Sequence, residues 1–364
     1  MSIKSLYLHV PFCKSICGYC DFCHMFFNKE KVDKWLVALQ EELNDKDINK
    51  NLETLYLGGG TPTSLDLNQL KTLLELLKPY TDNVLEYTVE INPETIDVEK
   101  VKLLSEYKVN RVSIGLQSSD ENLLKLMNRH HDFNQVKKVI DLFREYNISN
   151  ISVDIMYGLP TQTISQLEKT LEDVLILDIK HISIYCLTIE ENTLFYKKGY
   201  KKVDEDTDAD MYDLIVNKLN NSGFNQYEIS NFCIEGYESM HNNAYWHYLD
   251  FYGISMSASG KQGLVRYDNT KDFNEYLKGN YVEDITMLSK EESMFEYIMM
   301  GLRIKKGINL LDFKKAYDVD LLQHYENTIT TLESKGLIQI VDGYLRCSEK
   351  GYLINNNVIE SFIK

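Results

Sequence analysis

With 364 residues, 44% of them hydrophobic and 26% charged, the chain has the make-up of a globular protein of two or three units, long enough to bury a sizeable core, which excludes wholesale disorder. Its 39 basic against 55 acidic residues leave a formal charge of −16, a surface that repels phosphate backbones and argues against a nucleic-acid partner. No apolar run approaches the ~18 residues of a membrane helix, so membrane contact is peripheral at most. The N-terminal MSIKSLYLHVPFC enters a strand without a leader's separate apolar core, which makes the cytoplasm the expected compartment.

Short β-branched or aromatic runs alternate with longer amphipathic stretches through the first half. Strands are expected over 6–10, 54–57, 86–91, 111–116, 152–156 and 181–187, with helices over 31–44, 67–77, 98–107, 133–146 and 164–177. Six such alternations with right-handed crossovers predict an α/β fold, a parallel sheet curled into a partial barrel. All five prolines lie at or before Pro160, and Pro11, Pro62, Pro93 and Pro160 each follow a predicted strand. Proline marks strand ends because it cannot donate to the ladder, and the C-terminal strand ends of such barrels carry active sites. Beyond residue 200 the pattern changes. A charged helix over 206–220, a strand over 226–230 and an aromatic segment over 237–252 come first. Helices over 290–302, 310–317 and 321–334 and a hairpin of 337–341 with 344–347 follow, an order like that of a winged helix. The expected organisation is a (β/α)6 partial barrel over 1–200, a small α+β extension over 201–285 and a winged-helix-like module over 286–364. Lys305, Lys306, Lys314 and Lys315 of that module are matched by Asp312, Asp318 and Asp320, which favours structural docking over DNA reading.

Four of the seven cysteines, Cys13, Cys17, Cys20 and Cys23, crowd onto one loop, while Cys186, Cys233 and Cys347 are scattered. An odd, clustered set points to metal or redox chemistry rather than a disulfide framework. Cys13, Cys17 and Cys20 have the spacing CxxxCxxC, which suits three irons of a cubane cluster and leaves the fourth open to a small ligand. A zinc knuckle would need a second ligand pair at a distance, and none is evident. His241-Asn242-Asn243-Ala244-Tyr245-Trp246 sets a histidine, an axial ligand for haem iron, beside two rings able to pack on a porphyrin. Alone, such a stretch is more often core.

The spacing CxxxCxxC after a first strand, followed by a glycine-rich second strand end, resembles the radical S-adenosylmethionine superfamily. Within it, YLHVPFC…CGYCDF, GGGTPT, EINPE, RVSIGLQS, NRHH, VDIMYGLP and HNNAYW, in this order, are similar to the coproporphyrinogen-oxidase-like branch and most like its haem-chaperone members. The resemblance runs from Tyr7 to about residue 362. It implies a [4Fe–4S] cluster on Cys13, Cys17 and Cys20. It implies also that S-adenosylmethionine is chelated by the open iron and cleaved by an electron from the reduced cluster to a 5′-deoxyadenosyl radical. Tyr7, Gly59, Gly60, Thr61, Glu90, Gln117, Arg129 and Asp154, with Tyr19 more weakly, are the implied cofactor contacts. On that reading the side-chain-free glycine turn admits the methionine moiety to backbone N–H groups, Glu90 accepts ribose hydroxyls, Gln117 and Asp154 end the next two strands, and Arg129, on a helix, pairs with a carboxylate. Without the resemblance the same residues read as a tight turn, a solvent-facing carboxylate and a solvated arginine.

Two departures qualify the likeness. Phe22 stands where the porphyrinogen oxidases carry an extra cysteine, and Cys23 follows one place later, either a spare thiol or a non-ligand. The branch's GIGPGAHS appears here as Gly253-Ile254-Ser255-Met256-Ser257-Ala258-Ser259-Gly260, with serines for two glycines and for the histidine, which lowers the expected haem affinity. The implied function is a haem chaperone that binds haem, with His241 as ligand and His247 as a nearby alternative, and passes it to apo-proteins. An electron donor to the cluster is a further implied partner. The alternative is an oxygen-independent coproporphyrinogen III dehydrogenase, disfavoured by Phe22 and by Tyr7 beginning almost at once, without that enzyme's N-terminal arm. A redox-inert metal-binding module is the third reading. Whether the protein turns over a substrate is left open.

Overall fold

The computed structural model describes residues 2–363. Six parallel strands, β1 (Ser5–Val10), β2 (Thr54–Gly59), β3 (Glu86–Ile91), β4 (Arg111–Gln117), β5 (Asn150–Tyr157) and β6 (His181–Cys186), lie side by side in chain order. Tyr252–Ile254 pairs parallel to β1, and the hairpin of Asn225–Gln226 and Asn231–Cys233 adds antiparallel to β6, closing the sheet at nine strands. The crossovers run through α1 (Lys29–Asp45), α2 (Leu67–Leu77), α3 (Val98–Glu106), α4 (Glu121–Leu126), α5 (Phe133–Glu145) and α6 (Ile164–Leu175).

The helices begin where they do because each is capped. Asn28, Asp66, Asp97, Asp120, Asp132 and Thr163 all accept a first-turn backbone N–H with their side chains, worth about 1 kcal/mol each. The strands alternate strictly. Leu6, Leu8, Leu55, Leu57, Val112, Ile114, Val153, Ile155, Ile182 and Ile184 face the helices in one continuous core. The opposite faces carry Tyr7, His9, Tyr56, Glu90, Arg111, Ser113, Asp154, Ser183 and Tyr185. A barrel interior is ordinarily filled by branched aliphatics; here it is polar, and a polar lumen is kept open for a ligand.

The predicted strands and helices of the barrel lie within two residues of those observed, and α4 was not expected. The second half needs correction. Of residues 226–230 only Gln226 lies in a strand; 227–230 form the turn of the hairpin, because the Glu228 carboxylate accepts Ser230 N at 2.9 Å and also the Asn231 amide, folding the chain back on itself. The aromatic segment contains a short helix, α7 (Met240–Trp246), capped by Ser239. An unforeseen antiparallel sheet joins Ser259–Gln262, Val265–Asn269 and Val282–Met287. In the C-terminal unit the helix expected over 321–334 breaks at Tyr325 into Leu321–His324 and Glu326–Ser334, with the Tyr325 ring 5.4 Å from that of Phe362. The unit runs Lys290–Gly301, Leu310–Tyr317, the broken helix and then the hairpin Ile338–Val341 and Tyr344–Cys347, with one strand not expected, Ile308–Asn309, pairing with the second strand of that hairpin. Asp342 and Gly343, both at positive φ, turn that hairpin, over a separate core that includes Met294, Ile298, Phe313 and Leu345.

Candidate functional site

The cysteine loop is tied at both ends. Phe12–Cys13 pairs with Met25–Phe26 through Met25 N to Pro11 O at 2.7 Å and Phe27 N to Cys13 O at 2.8 Å. The middle is held by Gly18 N to Met127 O at 2.9 Å and Asn128 Nδ2 to Ile16 O at 2.7 Å. This preorganised loop turns Cys13, Cys17 and Cys20 to one cavity of about 490 Å³ at the C-terminal end of the strands. Cys23 lines the neighbouring cavity instead, its carbonyl 2.8 Å from His9 Nε2. Among the described residues no three His, Cys, Asp or Glu side chains converge on a single-ion site. A cubane needs no such convergence, since it takes one thiolate per iron, so a thiol-only donor set on one loop fits it. Burial pushes Cys13 up to about 11 and Cys20 up to about 12, so metal binding must displace thiol protons.

The glycine turn works differently from expectation. Its backbone donors are already spent: Gly59 N on Glu90 Oε2 at 3.2 Å, Gly60 N on Val10 O at 2.8 Å and Thr61 N on Phe12 O at 2.9 Å. The glycines allow close packing instead. A Cβ on Gly60 would stand 2.8 Å from the carbonyl oxygens of Val10 and Phe12, and one on Gly59, at φ +105°, would stand 2.5 Å from the His9 ring. The turn therefore props the cysteine loop, and Thr61 Oγ1 lies 3.6 Å from Cys13 Sγ. Glu90 also accepts Tyr56 Oη at 2.9 Å, and burial, with Asp154 nearby, raises its carboxyl to about 7.

Arg129 follows α4 in a loop rather than standing on a helix. Its Nη2 donates to Tyr19 Oη at 2.8 Å and its Nη1 to Asn92 Oδ1, while its buried Nε has no partner. Asn92 donates in turn to Thr61 Oγ1 at 3.2 Å. Gln117 ends β4 at φ 67°, after a register shift against β5. Asp154 does not end its strand but sits mid-strand within the lumen, accepting Ser113 Oγ at 2.8 Å, its pKa raised by burial. The cavity thus gathers Cys13, Cys17, Tyr19, Cys20, Gly59, Gly60, Thr61, Glu90, Gln117, Arg129 and Asp154. Sequence reasoning missed Tyr56, Asn92 and Arg111. Each was signalled by its place, as a polar residue on the inward register of a strand or just before the proline at its end.

Tyr7 and His241 lie elsewhere, in an adjoining cavity of about 510 Å³ that shares Tyr56, Gly59, Glu90, Tyr185 and Asn242 with the first. Tyr7 packs its ring 6.0 Å from that of Tyr56 and places its hydroxyl 3.1 Å from His9 Nδ1. His241 is buried at the start of α7, its Nδ1 3.0 Å from Thr54 Oγ1 and its ring 5.1 Å from Tyr56. Burial holds its pKa down at about 3, so it is neutral, as a metal-ligating imidazole must be. Tyr245 shares this cavity, but Trp246 points away from it, and His247 is exposed, its Nδ1 2.8 Å from Asn243 O.

Ser257 and Ser259 line the same cavity. Ser255 and Ser257 keep φ at 77° and 63°, the left-handed region glycine would enter freely. Ser257 Oγ is buried without a partner, whereas Ser255 Oγ accepts Trp35 Nε1 at 2.9 Å. Ser257→Gly is therefore expected to stabilise the protein by about 0.5–1 kcal/mol. Ser255→Gly gains the same backbone relief but orphans the indole N–H at about 1–3 kcal/mol, so a net loss of stability is expected. Denaturant midpoints check both, and equal signs would refute the distinction.

Comparison with known proteins places this geometry. The radical SAM superfamily matches residues 7–174 and the HemN C-terminal domain matches residues 288–354. The chain is 36% identical to the heme chaperone HemW of Bacillus subtilis, over 99% of both chains. It is also 36% identical to HemW of Lactococcus lactis, over 99% of this chain and 97% of that one. The structure of HemN from Escherichia coli, a coproporphyrinogen III oxidase described as a radical SAM enzyme, superposes with a TM-score of 0.87 at 21% identity, over 99% of this chain and 90% of that one. At that identity the likeness is one of fold. Among the described residues no helix is long and apolar enough to cross a membrane.

Proposed function

Since the chain belongs to the radical SAM superfamily and, within it, to the HemW family, we propose that it is a haem chaperone, binding haem and handing it to haem-accepting proteins. The observation that carries this reading is the second cavity: a neutral His241, oriented through Nδ1 by Thr54, beside Tyr56 and Tyr245 and against the wall of the cysteine cavity. With Nδ1 engaged, Nε2 is the ligating atom, an arrangement common among metal-bound histidines.

The family's cofactors are a [4Fe–4S] cluster and S-adenosylmethionine. Cys13, Cys17 and Cys20 hold the cluster, and together the two cofactors supply one-electron reductive cleavage of a sulfonium. The chain's own residues do the positioning. Gly59, Gly60 and Thr61 prop the loop, Tyr19 and Asn92 aim Arg129, and the partnerless Nε of Arg129 offers a donor to a carboxylate. Glu90, Gln117 and Asp154 supply polar contacts from the strand ends and lumen, and Tyr7 backs Tyr56 at the shared wall. An electron donor reaches the cluster from outside the chain. The reducing cytoplasm, where unpaired thiols persist, is the compartment that suits it.

Anaerobic reconstitution followed by haem titration tests the reading. A Soret band saturating near one haem per chain is expected, weakened in His241→Ala and largely retained in Cys17→Ala, because the two sites occupy separate cavities. The loaded protein should pass haem to a haem-free acceptor and form no protoporphyrinogen from coproporphyrinogen. Turnover of coproporphyrinogen above background, or no haem band in the wild type, overturns it.

A further inference from the structure

At the N-terminal end of the strands the lumen holds a second buried guanidinium that the cofactor site does not use. Arg111, the first residue of β4, is 2% exposed and lines the cysteine cavity at the opposite end from the cysteines. Arg129 spends both terminal nitrogens on protein acceptors, Asn92 and Tyr19. The buried Nε of Arg111 has no hydrogen-bond partner. The nearest carboxylate, Glu86, stands 3.9 Å from Nε. Glu86 is already committed to the start of α7, accepting Ser239 Oγ at 3.2 Å, Met240 N at 2.9 Å and His241 N at 2.9 Å. It offsets the charge of Arg111 without satisfying its donors.

Burying an arginine costs several kcal/mol unless its donors are met, and the planar fork is matched to a carboxylate. Ser113, Ser183, Tyr185 and Asn242 line the cavity with it, and Tyr185 and Asn242 also line the His241 cavity. Two acids share the lumen but have their own donors: Glu90 holds Tyr56 and Gly59, and Asp154 holds Ser113. We propose that Arg111 is the anchor for a carboxylate of the bound ligand at the lumen floor. Resting on the haem reading above, that carboxylate is a propionate of the tetrapyrrole, reaching through the wall shared by the two cavities while the ring stays beside His241.

The test compares haem with haem dimethyl ester, whose propionates carry no charge, by absorbance titration. The wild type should bind haem at least tenfold tighter than the ester. Arg111→Met should remove most of that difference by weakening haem, leaving the ester within about twofold, and Arg111→Lys, which keeps the charge but loses the fork, should fall between. Should Arg111→Met fail to fold with Glu86 uncompensated, Arg111→Lys and the Arg111→Met/Glu86→Gln pair, which removes both charges, carry the comparison. An unchanged haem-to-ester ratio in the folded variants overturns the proposal. If the wild type binds no haem, the chaperone reading falls and metal-free coproporphyrin III, with four carboxylates and no iron for His241, decides the anchor separately. Its binding to the wild type and loss in Arg111→Met upholds the anchor, and no binding overturns it.

Discussion

Replacing any one of Cys13, Cys17 and Cys20 by alanine is expected to abolish the visible absorption of the anaerobically reconstituted protein, while Cys23→Ala retains it. The three thiols face one cavity from a loop pinned at both ends and in the middle, and Cys23 faces the other. Cys186 also lines the first cavity, but its thiol, at the end of β6, is engaged in donating to Asp208 at 3.2 Å. Because the loop is already formed by backbone hydrogen bonds, the variants should fold with a secondary structure close to the wild type and differ in iron and sulfide content. A Cys23→Ala protein devoid of cluster, or a Cys17→Ala protein with a full one, would show that the ligand set is wrong.

The barrel was legible because short β-branched or aromatic runs alternate with longer amphipathic stretches, and prolines follow four of the strands. Within those runs aliphatic residues stand at every second position and face the helices. The same alternation already contained the lumen. The residues skipped between the aliphatics, Tyr56, Arg111, Ser113 and Asp154, are the inward wall. The site was sought instead at strand ends, which is why Asp154 was placed at a terminus and Arg111 was not weighed at all. Arg129 was given to a helix although no helical pattern was read around it, and α4, which is too short to show a period, ends before it. The strand expected over 226–230 failed for a different reason. Its apolar and polar residues alternate, but a carboxylate three residues ahead of Asn231 offers the backbone a competing local bond. The sheet of Ser259–Gln262, Val265–Asn269 and Val282–Met287 escaped because its outer strand is exposed on both faces and carries no burial signal. His241 was recognised as a residue of interest, yet nothing along the chain indicates that it would sit beneath Tyr56 with its backbone N–H held by Glu86; that contact joins residues 155 apart in sequence.

Gly60→Val is expected to remove the cluster and S-adenosylmethionine binding together, whereas Glu90→Ala is expected to weaken binding and leave the cluster in place. The first Cβ of valine at position 60 would meet the carbonyl oxygens of Val10 and Phe12 at 2.8 Å and Phe12 N at 3.0 Å. All three are backbone atoms, so no rotamer relieves the contact, and the end of β1 must move away from the turn. That movement breaks Gly60 N to Val10 O and Thr61 N to Phe12 O, the bonds that hold Cys13 in position. Glu90 stands on the other side of the turn. Its removal frees Tyr56 Oη and Gly59 N and deletes an acceptor from the cavity, but it touches none of the bonds that tie the cysteine loop. The loss of affinity for each ligand hydroxyl left without an acceptor is about 0.5–1.5 kcal/mol, or up to roughly tenfold. Iron content and calorimetric affinity, measured on both variants, separate the two roles. A Gly60→Val protein with full iron and wild-type affinity would mean that the turn does not support the loop, and a Glu90→Ala protein without iron would mean that the carboxylate holds the loop rather than the ligand.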